Sequence, residues 1–403
     1  MKTVRFIILL SIFILQQMLT GIEVSAQDGS ISITSEISYI YGENLDFSAR
    51  FTADQDPVRA VIFLRSDSDG YTDVLNAEKS SGNYSTLSVS RDLSLAPLTP
   101  FSRWTYWWHL DFPDGTSYDS TPQIFQYYDN RYVWNFASGA FENTNIQVFW
   151  KSNAVDTGQT VIDLTAKILP DLQNQLSISA PGSVSIFIYQ HPEEMLPATN
   201  STGEAYISGT TLPIESTILL VVTDDQESVI TLEQLLPHEL THLMLYQRMG
   251  DSYDNLPNWL AEGLSVLHEE TPDPVLRLAL EEAFQENQLL SLQSLCGTFP
   301  SQDQASILAY AQSASFLQYL LDIYGIGGLS ALLDAYQEGA TCEGGLSRVF
   351  QRDLSVLDSE WQASLGFPGS QVFSIFMPWL LLAIPLLLLL IYTLFLRHKP
   401  APE

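Results

Sequence analysis

The sequence predicts a multidomain chain with an N-terminal β-sandwich, a following α+β domain and a C-terminal transmembrane helix. Three observations lead to this prediction. Apolar and polar residues alternate between residues 30 and 128, and turn-forming stretches separate the alternating runs. Helical periodicity appears beyond residue 132. An uncharged and largely aliphatic stretch occupies residues 372–396.

The composition limits the number of domains and the possible partners. The chain has 403 residues, more than one ordinary domain of about 100–200 residues contains. Its 17 basic residues stand against 47 acidic ones, which gives a formal charge of −30. Such a charge repels a phosphate backbone, so we expect no nucleic-acid partner. The oligomeric state stays open.

The first 26 residues have the features of a secretory signal peptide. Lys2 and Arg5 precede an apolar run from Phe6 to Leu15, and small residues end the segment at Ala26. We expect residues 1–26 to be removed by cleavage near Ala26. An N-terminal membrane span is the weaker alternative, because the run has only about 10 residues and a span needs about 20.

Residues 27–130 are predicted to form the β-sandwich. Their short runs are rich in β-branched and aromatic residues, and the turn-forming stretches DQDP, SDSDG, SSGN and PDGTS separate them. This spacing is typical of an immunoglobulin-like or fibronectin-like module, here without the cysteine pair of antibody-type domains. In the WTYWWHL run we expect core packing, and a carbohydrate-binding platform is the alternative.

Residues 134–366 are predicted to form the α+β domain. Asn145–Lys151 alternates like a strand, and two further strand runs follow later, SVSIFIYQ and ESTILLVVTD. Thr157–Leu176 has apolar residues at a helical period, and Pro170 is expected to kink or end that helix. Helical patterns then dominate to about residue 365.

The clearest helix of this domain is predicted over Thr231–Met249. Thr231 and a glutamine three residues later have the spacing of a capping box. Gly250 follows at the position that a left-handed C-cap favours. A second helix is expected to open near Pro257 and to run through His268.

The stretch 372–396 is long enough to cross about 30 Å of hydrocarbon as a helix. Arg397, His398 and Lys399 follow it directly. By the positive-inside rule, the tail 397–403 is expected in the cytoplasm. We therefore expect a single-pass protein of the cell membrane whose N-terminal ectodomain is extracytoplasmic.

The chain has two cysteines, Cys296 and Cys342, and both fall in the predicted ectodomain. In an oxidising compartment such a pair usually forms one structural disulfide, which we predict here. Two free buried thiols are the alternative. Neither cysteine has the CxxC spacing of a redox or zinc site.

A short motif on the clearest helix carries the chemistry. His238, Glu239 and His242 form an HExxH sequence. Residues four apart project from one helical face, so the two imidazoles can converge on a zinc ion while Glu239 points at its open side. A helix with two solvated histidines is the alternative. The apolar residues around the motif oppose it, because unpaired histidines on a buried helix would be costly.

A catalytic zinc ion needs a third protein ligand. Leu245 and Arg248 stand where a metzincin has glycine and histidine, so that class is excluded. Asp251 or Asp254, just after the helix, could serve. Glu262 is the stronger candidate, because a glutamate on a second helix can close the site with a charged oxygen ligand.

HELTH followed by WLAEG resembles the gluzincin metallopeptidases, and the later AYAQSASFLQYLLDIYG resembles the peptidase MA-like domains of exported bacterial proteins. The resemblance covers about residues 135 to 365. It implies a zincin fold, a peptide or protein substrate, His238, His242 and Glu262 as zinc ligands, and Glu239 as the catalytic base. The spacer between His242 and Glu262 is one residue longer than in the aminopeptidase branch.

The expected mechanism is hydrolysis of a peptide bond by water that zinc and Glu239 activate. The tetrahedral oxyanion needs a further donor. Tyr310, in the AYAQS stretch, is the candidate, and a core tyrosine on an amphipathic helix is the alternative. A different class of function also stays open: a surface binding or adhesion protein with a catalytically inactive zincin domain.

Overall fold

The structure is a computed structural model, and it describes residues 31–80, 85–151, 157–199, 208–223, 228–300 and 303–366. The predicted signal peptide, transmembrane helix and cytoplasmic tail lie outside the described residues. The chain divides into two compact units. The first takes in 1–138, 147–158 and 184–224, and the second 139–146, 159–183 and 225–403, as far as these are described. The domain limits given by the sequence stay a prediction.

The N-terminal part of the first unit is made of strands, as the alternating pattern predicts. They are β1 (Ser32–Ile40), β2 (Asn44–Thr52), β3 (Arg59–Ser66), β4 (Thr72–Asn76), β5 (Glu78–Ser80), β6 (Ser85–Asp92), β7 (Arg103–Asp111), β8 (Ser117–Asp119) and β9 (Gln123–Gln126). One sheet has the order β1-β2-β6-β5, and the other has the order β4-β3-β7-β8 with β9 also paired to β7. The pairings within both sheets are antiparallel.

Aromatic residues fill the space between these two sheets. Trp108 is fully buried, and its indole N–H donates to Ser35 Oγ at 2.8 Å. The rings of Phe47 and Tyr106 lie 4.9 Å apart. Every second residue of the WTYWWHL run is therefore buried in the core, as expected. Trp107 points to the other face of its sheet. The immunoglobulin-like or fibronectin-like assignment stays a prediction.

A third, mixed sheet belongs largely to the first unit. Its strands are β10 (Asn135–Phe141), β11 (Thr144–Trp150), β12 (Ser183–Tyr189), β13 (Gly209–Leu212) and β14 (Thr217–Val221), in the order β10-β11-β12-β14-β13. β12 and β14 are parallel, and β13 is antiparallel to β14. Within the first unit, Phe187 packs 4.7 Å from Phe101, so this sheet shares the core of the preceding strands.

The described helices are α1 (Thr157–Leu176), α2 (Pro192–Met195), α3 (Ser228–Met249), α4 (Asn258–Leu267), α5 (Pro274–Gln285), α6 (Asp303–Gln337), α7 (Cys342–Phe350) and α8 (Leu354–Ser364). Most lie in the second unit, so a β-rich region precedes a helical one. The α6 segment contains a break at Gly325, whose φ is 65°. By length and composition α6 could cross a membrane, but it packs against α4 and α5 as a core helix does.

Helix α1 continues through the proline at which the sequence predicts a kink or an end, and helix α3 begins earlier than predicted. Pro170 does not end α1, which continues to Leu176. The loss of one backbone hydrogen bond is outweighed there by an apolar face whose members, Leu169 and Leu172 among them, are fully buried. Helix α3 begins at Ser228, one turn before the predicted cap at Thr231. The apolar side chains of this added turn, Val229 and Ile230, are exposed.

The predicted disulfide is confirmed. Cys296 and Cys342 are bonded, with their Cα atoms 5.9 Å apart. The bridge joins the segment before α6 to the first residue of α7, and the indole N–H of the buried Trp259 in α4 points at Cys342 Sγ, 3.4 Å away. The disulfide thus lies against the helix that carries Glu262.

Candidate metal centre

Helix α3 presents His238, Glu239 and His242 in the middle of its length, directly after Pro237. Pro237 has no N–H to donate to the carbonyl of Glu233, and that carbonyl instead accepts the backbone N–H of Glu270 at 2.9 Å. The helix therefore continues through the proline without leaving this acceptor unpaired. This hydrogen bond from Glu270 also fixes the segment after α4 beside the HExxH motif.

Glu262 reaches the two histidines from α4. Its Oε2 atom lies 3.3 Å from His238 Nε2 and 3.4 Å from His242 Nε2. The next residue, Gly263, explains the close approach of α4 to α6, because a Cβ there would lie 2.7 Å from the carbonyl oxygen of Ser313. A side chain at 263 would push away the helix that holds Glu262.

The donor atoms have the separations that a zinc ion needs. Atoms about 2.0–2.1 Å from a tetrahedral zinc lie about 3.3–3.4 Å from each other. Both measured distances to Glu262 Oε2 agree with this value. Among the described residues, His238, His242 and Glu262 are the group of histidine, cysteine and acidic side chains whose ligand atoms come close enough to hold a metal. The residues fit the ion.

Each histidine has a second partner on its other ring nitrogen. His238 Nδ1 lies 3.2 Å from Glu269 Oε1, and His242 Nδ1 lies 3.1 Å from Tyr253 Oη. Both Nε2 atoms are thereby left to face Glu262. Neither partner was predicted from the sequence. Glu269 follows the end of α4 and Tyr253 sits in a short 3-10 segment, and no local pattern marks either position.

The close contacts change the protonation of these groups in the metal-free protein. Burial alone would lower the pKa of His238, but hydrogen bonds with Glu262 and Glu269 outweigh it and raise that pKa to about 10. Burial alone would raise the pKa of Glu262, but hydrogen bonds with both histidines lower it to about 2. Without metal, His238 therefore carries a proton that a metal ion must displace.

The remaining predicted residues are also located. Glu239 is buried beside the two histidines, and Tyr310 in α6 has its ring 6.2 Å from that of His238. Burial, together with the charges of Glu262 and Glu239, raises the pKa of Tyr310, so its phenol stays protonated. The alternative ligands Asp251 and Asp254 are exposed and do not join the cluster.

The fold and this site define a class of protein in which a β-rich region is followed by a helical domain that carries a His-His-Glu centre. A family model described as the Peptidase MA superfamily matches residues 165–366, half of the chain. The chain therefore belongs to the Peptidase MA superfamily, and its resemblance to that family is confirmed. No curated protein matches the chain.

The chain is also similar to solved structures. A mutant of the M1 zinc metallopeptidase from Deinococcus radiodurans is 12% identical, with a TM-score of 0.40, covering 84% of this chain and 96% of that one. An aminopeptidase N family protein from Idiomarina loihiensis is 10% identical, with a TM-score of 0.39, covering 82% of this chain and 75% of that one.

Proposed function

We propose that the protein is a zinc metallopeptidase that hydrolyses peptide bonds. The observation that carries the proposal is the convergence of His238 Nε2, His242 Nε2 and Glu262 Oε2, with Glu262 Oε2 3.3–3.4 Å from both nitrogens. Two neutral imidazoles and one carboxylate form a typical catalytic zinc ligand set, which keeps a coordination position open. Membership of the Peptidase MA superfamily supports the same reaction class.

The side chains around the metal have separate roles in this proposal. His238, His242 and Glu262 would hold the zinc ion. When bound, zinc supplies a Lewis acid that makes water nucleophilic at neutral pH and polarises the substrate carbonyl. Glu239 accepts the proton of the attacking water and passes it to the leaving amine. Its burial beside the ligands favours this role, because a carboxylate away from bulk water keeps the proton local.

Tyr310 is the proposed donor to the oxyanion that forms at the attacked carbonyl. Its phenol remains protonated, because burial and the neighbouring carboxylates raise its pKa. A neutral O–H group aimed at developing negative charge stabilises the transition state more than the ground state. The edge-on contact of its ring with Phe299, 5.3 Å between centroids, holds the side chain in one orientation.

We also propose that the enzyme acts outside the cytoplasm, anchored in the cell membrane by residues 372–396. The signal-like start, the uncharged stretch and the basic tail of the sequence all support the same orientation. The disulfide between Cys296 and Cys342 supports an oxidising compartment. Peptides or proteins at the outer face of the membrane are then the substrates.

The test compares the full-length wild type with Glu239→Gln for bound zinc and for cleavage of a mixed peptide library. Glu282→Gln, an exposed glutamate on α5, is the matched control. We expect zinc in all three proteins, and cleavage by the wild type and the control only. Zinc in all three with no cleavage by any would refute the peptidase and favour a binding protein with an inactive zincin domain.

A further inference from the structure

Tyr253 contacts His242 from a segment outside the α-helices. It lies in the 3-10 segment Gly250–Asn255, which connects α3 to α4. Its Oη atom is 3.1 Å from His242 Nδ1, the nitrogen that faces away from Glu262. A histidine that binds metal through Nε2 must carry its proton on Nδ1. In that tautomer the Nδ1–H group donates to the phenolic oxygen of Tyr253.

The segment that carries Tyr253 is fixed to the helical core on both sides. Helix α3 ends at Met249, and the φ of 57° at the following Gly250 turns the chain away from the helix axis. Ser252 Oγ then donates to the carbonyl of Gln337 at 3.1 Å, and the Gln337 amide donates to the carbonyl of Arg248 at 3.3 Å. Tyr253 itself packs edge-on against Tyr246, with ring centroids 5.5 Å apart. The phenol therefore has a defined position relative to His242.

The two histidines differ in the chemistry of their second partners. His238 is paired with a carboxylate, that of Glu269, whereas His242 is paired with a neutral hydroxyl. Two other carboxylates already act on these histidines, that of Glu262 in the metal-binding group and that of the buried Glu239. A phenol orients the second imidazole and fixes its tautomer without adding another negative charge.

We propose that Tyr253 is a positioning residue that holds His242 in the tautomer and ring orientation required for zinc binding. The inference rests on the proposed function, since it concerns the same metal. The segment between α3 and α4 would thus support metal binding, a role that the HExxH motif alone does not indicate.

The experiment measures zinc affinity of the full-length protein by competition with a chromophoric chelator. Tyr253→Phe removes the hydroxyl and keeps the ring, and Tyr246→Phe makes the same change on the neighbouring ring, whose centroid lies 5.5 Å from that of Tyr253. Removal of such an outer partner typically weakens metal binding about 10–100-fold, which we expect for Tyr253→Phe. We expect Tyr246→Phe to bind zinc like the wild type.

Two further readouts separate positioning from general damage. The melting temperature of the zinc-free Tyr253→Phe protein should stay close to that of the wild type. The visible spectrum of the cobalt-substituted protein should change in Tyr253→Phe but not in Tyr246→Phe, because it reports ligand geometry. Unchanged zinc affinity in Tyr253→Phe, or equal losses in both variants with a lowered zinc-free melting temperature, would overturn the inference. Failure of the wild type to bind zinc would instead overturn the proposed function.

Discussion

Replacing Gly263 with alanine perturbs the packing that holds Glu262 in place. The new Cβ would lie 2.7 Å from the carbonyl oxygen of Ser313, whereas ordinary contacts begin at 3.4 Å. The opposing atoms belong to the backbone of α6, so no side chain can rotate away. Helices α4 and α6 must therefore move apart by about 0.7 Å, and overpacking of this kind costs about 1–3 kcal/mol.

The effect should be measured as the free energy of unfolding in urea and as zinc affinity. We expect Gly263→Ala to lose about 1–3 kcal/mol and to bind zinc more weakly, because Glu262 precedes the altered residue on the same helix. Gly327→Ala is the matched control, since a Cβ at Gly327 in α6 would meet nothing within 4 Å. That variant should be neutral or gain up to about 1 kcal/mol. A Gly263→Ala protein as stable and as tightly zinc-binding as the wild type would show that the close contact with Ser313 does not hold Glu262 in place.

Three further predictions concern the disulfide, the protonation of the metal-free site and the oxyanion. Replacing Cys296 and Cys342 by serine opens a loop of 46 residues and should lower the free energy of unfolding in urea by about 4 kcal/mol. Unchanged stability would show that the disulfide does not restrict the unfolded chain as expected. The raised pKa of His238 stabilises the zinc-free protein fully below about pH 6.5, and this contribution is lost as the pH rises towards 10. The melting temperature of the zinc-free protein should therefore fall across that range, and less so in His238→Gln; equal slopes would argue against it. Tyr310→Phe should lower kcat by about 10²–10³-fold with zinc content unchanged. A kcat equal to that of the wild type would show that Tyr310 only packs in the core.

The sequence could anticipate the metal cluster because its geometry is local. His238 and His242 are four residues apart on one helix, so helical geometry alone brings them together. Glu262 comes from a second helix, and the resemblance to gluzincins led us to expect it near the two histidines. Its Oε2 atom lies 3.3 Å and 3.4 Å from their Nε2 atoms. The roles of these residues remain part of the proposed function.

The second partners could not be anticipated, because they depend on how distant backbone segments pack. Glu269 reaches His238 only because the segment after α4 is fixed by the carbonyl that Pro237 leaves free. Tyr253 reaches His242 only through a connecting segment bonded to α6. Neither contact has a periodicity or spacing that could be recognised in the sequence.

The helix boundaries were hard to predict for a different reason. At Pro170 a local rule competes with burial of an apolar face, and burial outweighs it. At the start of α3 the capping pattern at Thr231 competes with a helix that can extend by one solvent-exposed turn. In both places a local sequence pattern alone does not decide the outcome.

X-ray absorption at the zinc edge of the full-length protein, together with Glu262→Ala, tests the binding of zinc by His238, His242 and Glu262 directly. We expect two imidazole nitrogens and a carboxylate oxygen at about 2.0–2.2 Å in the wild type, with the carboxylate lost in the variant. Sulfur at about 2.3 Å, or a zinc shell that Glu262→Ala leaves unchanged, would contradict this set of ligands.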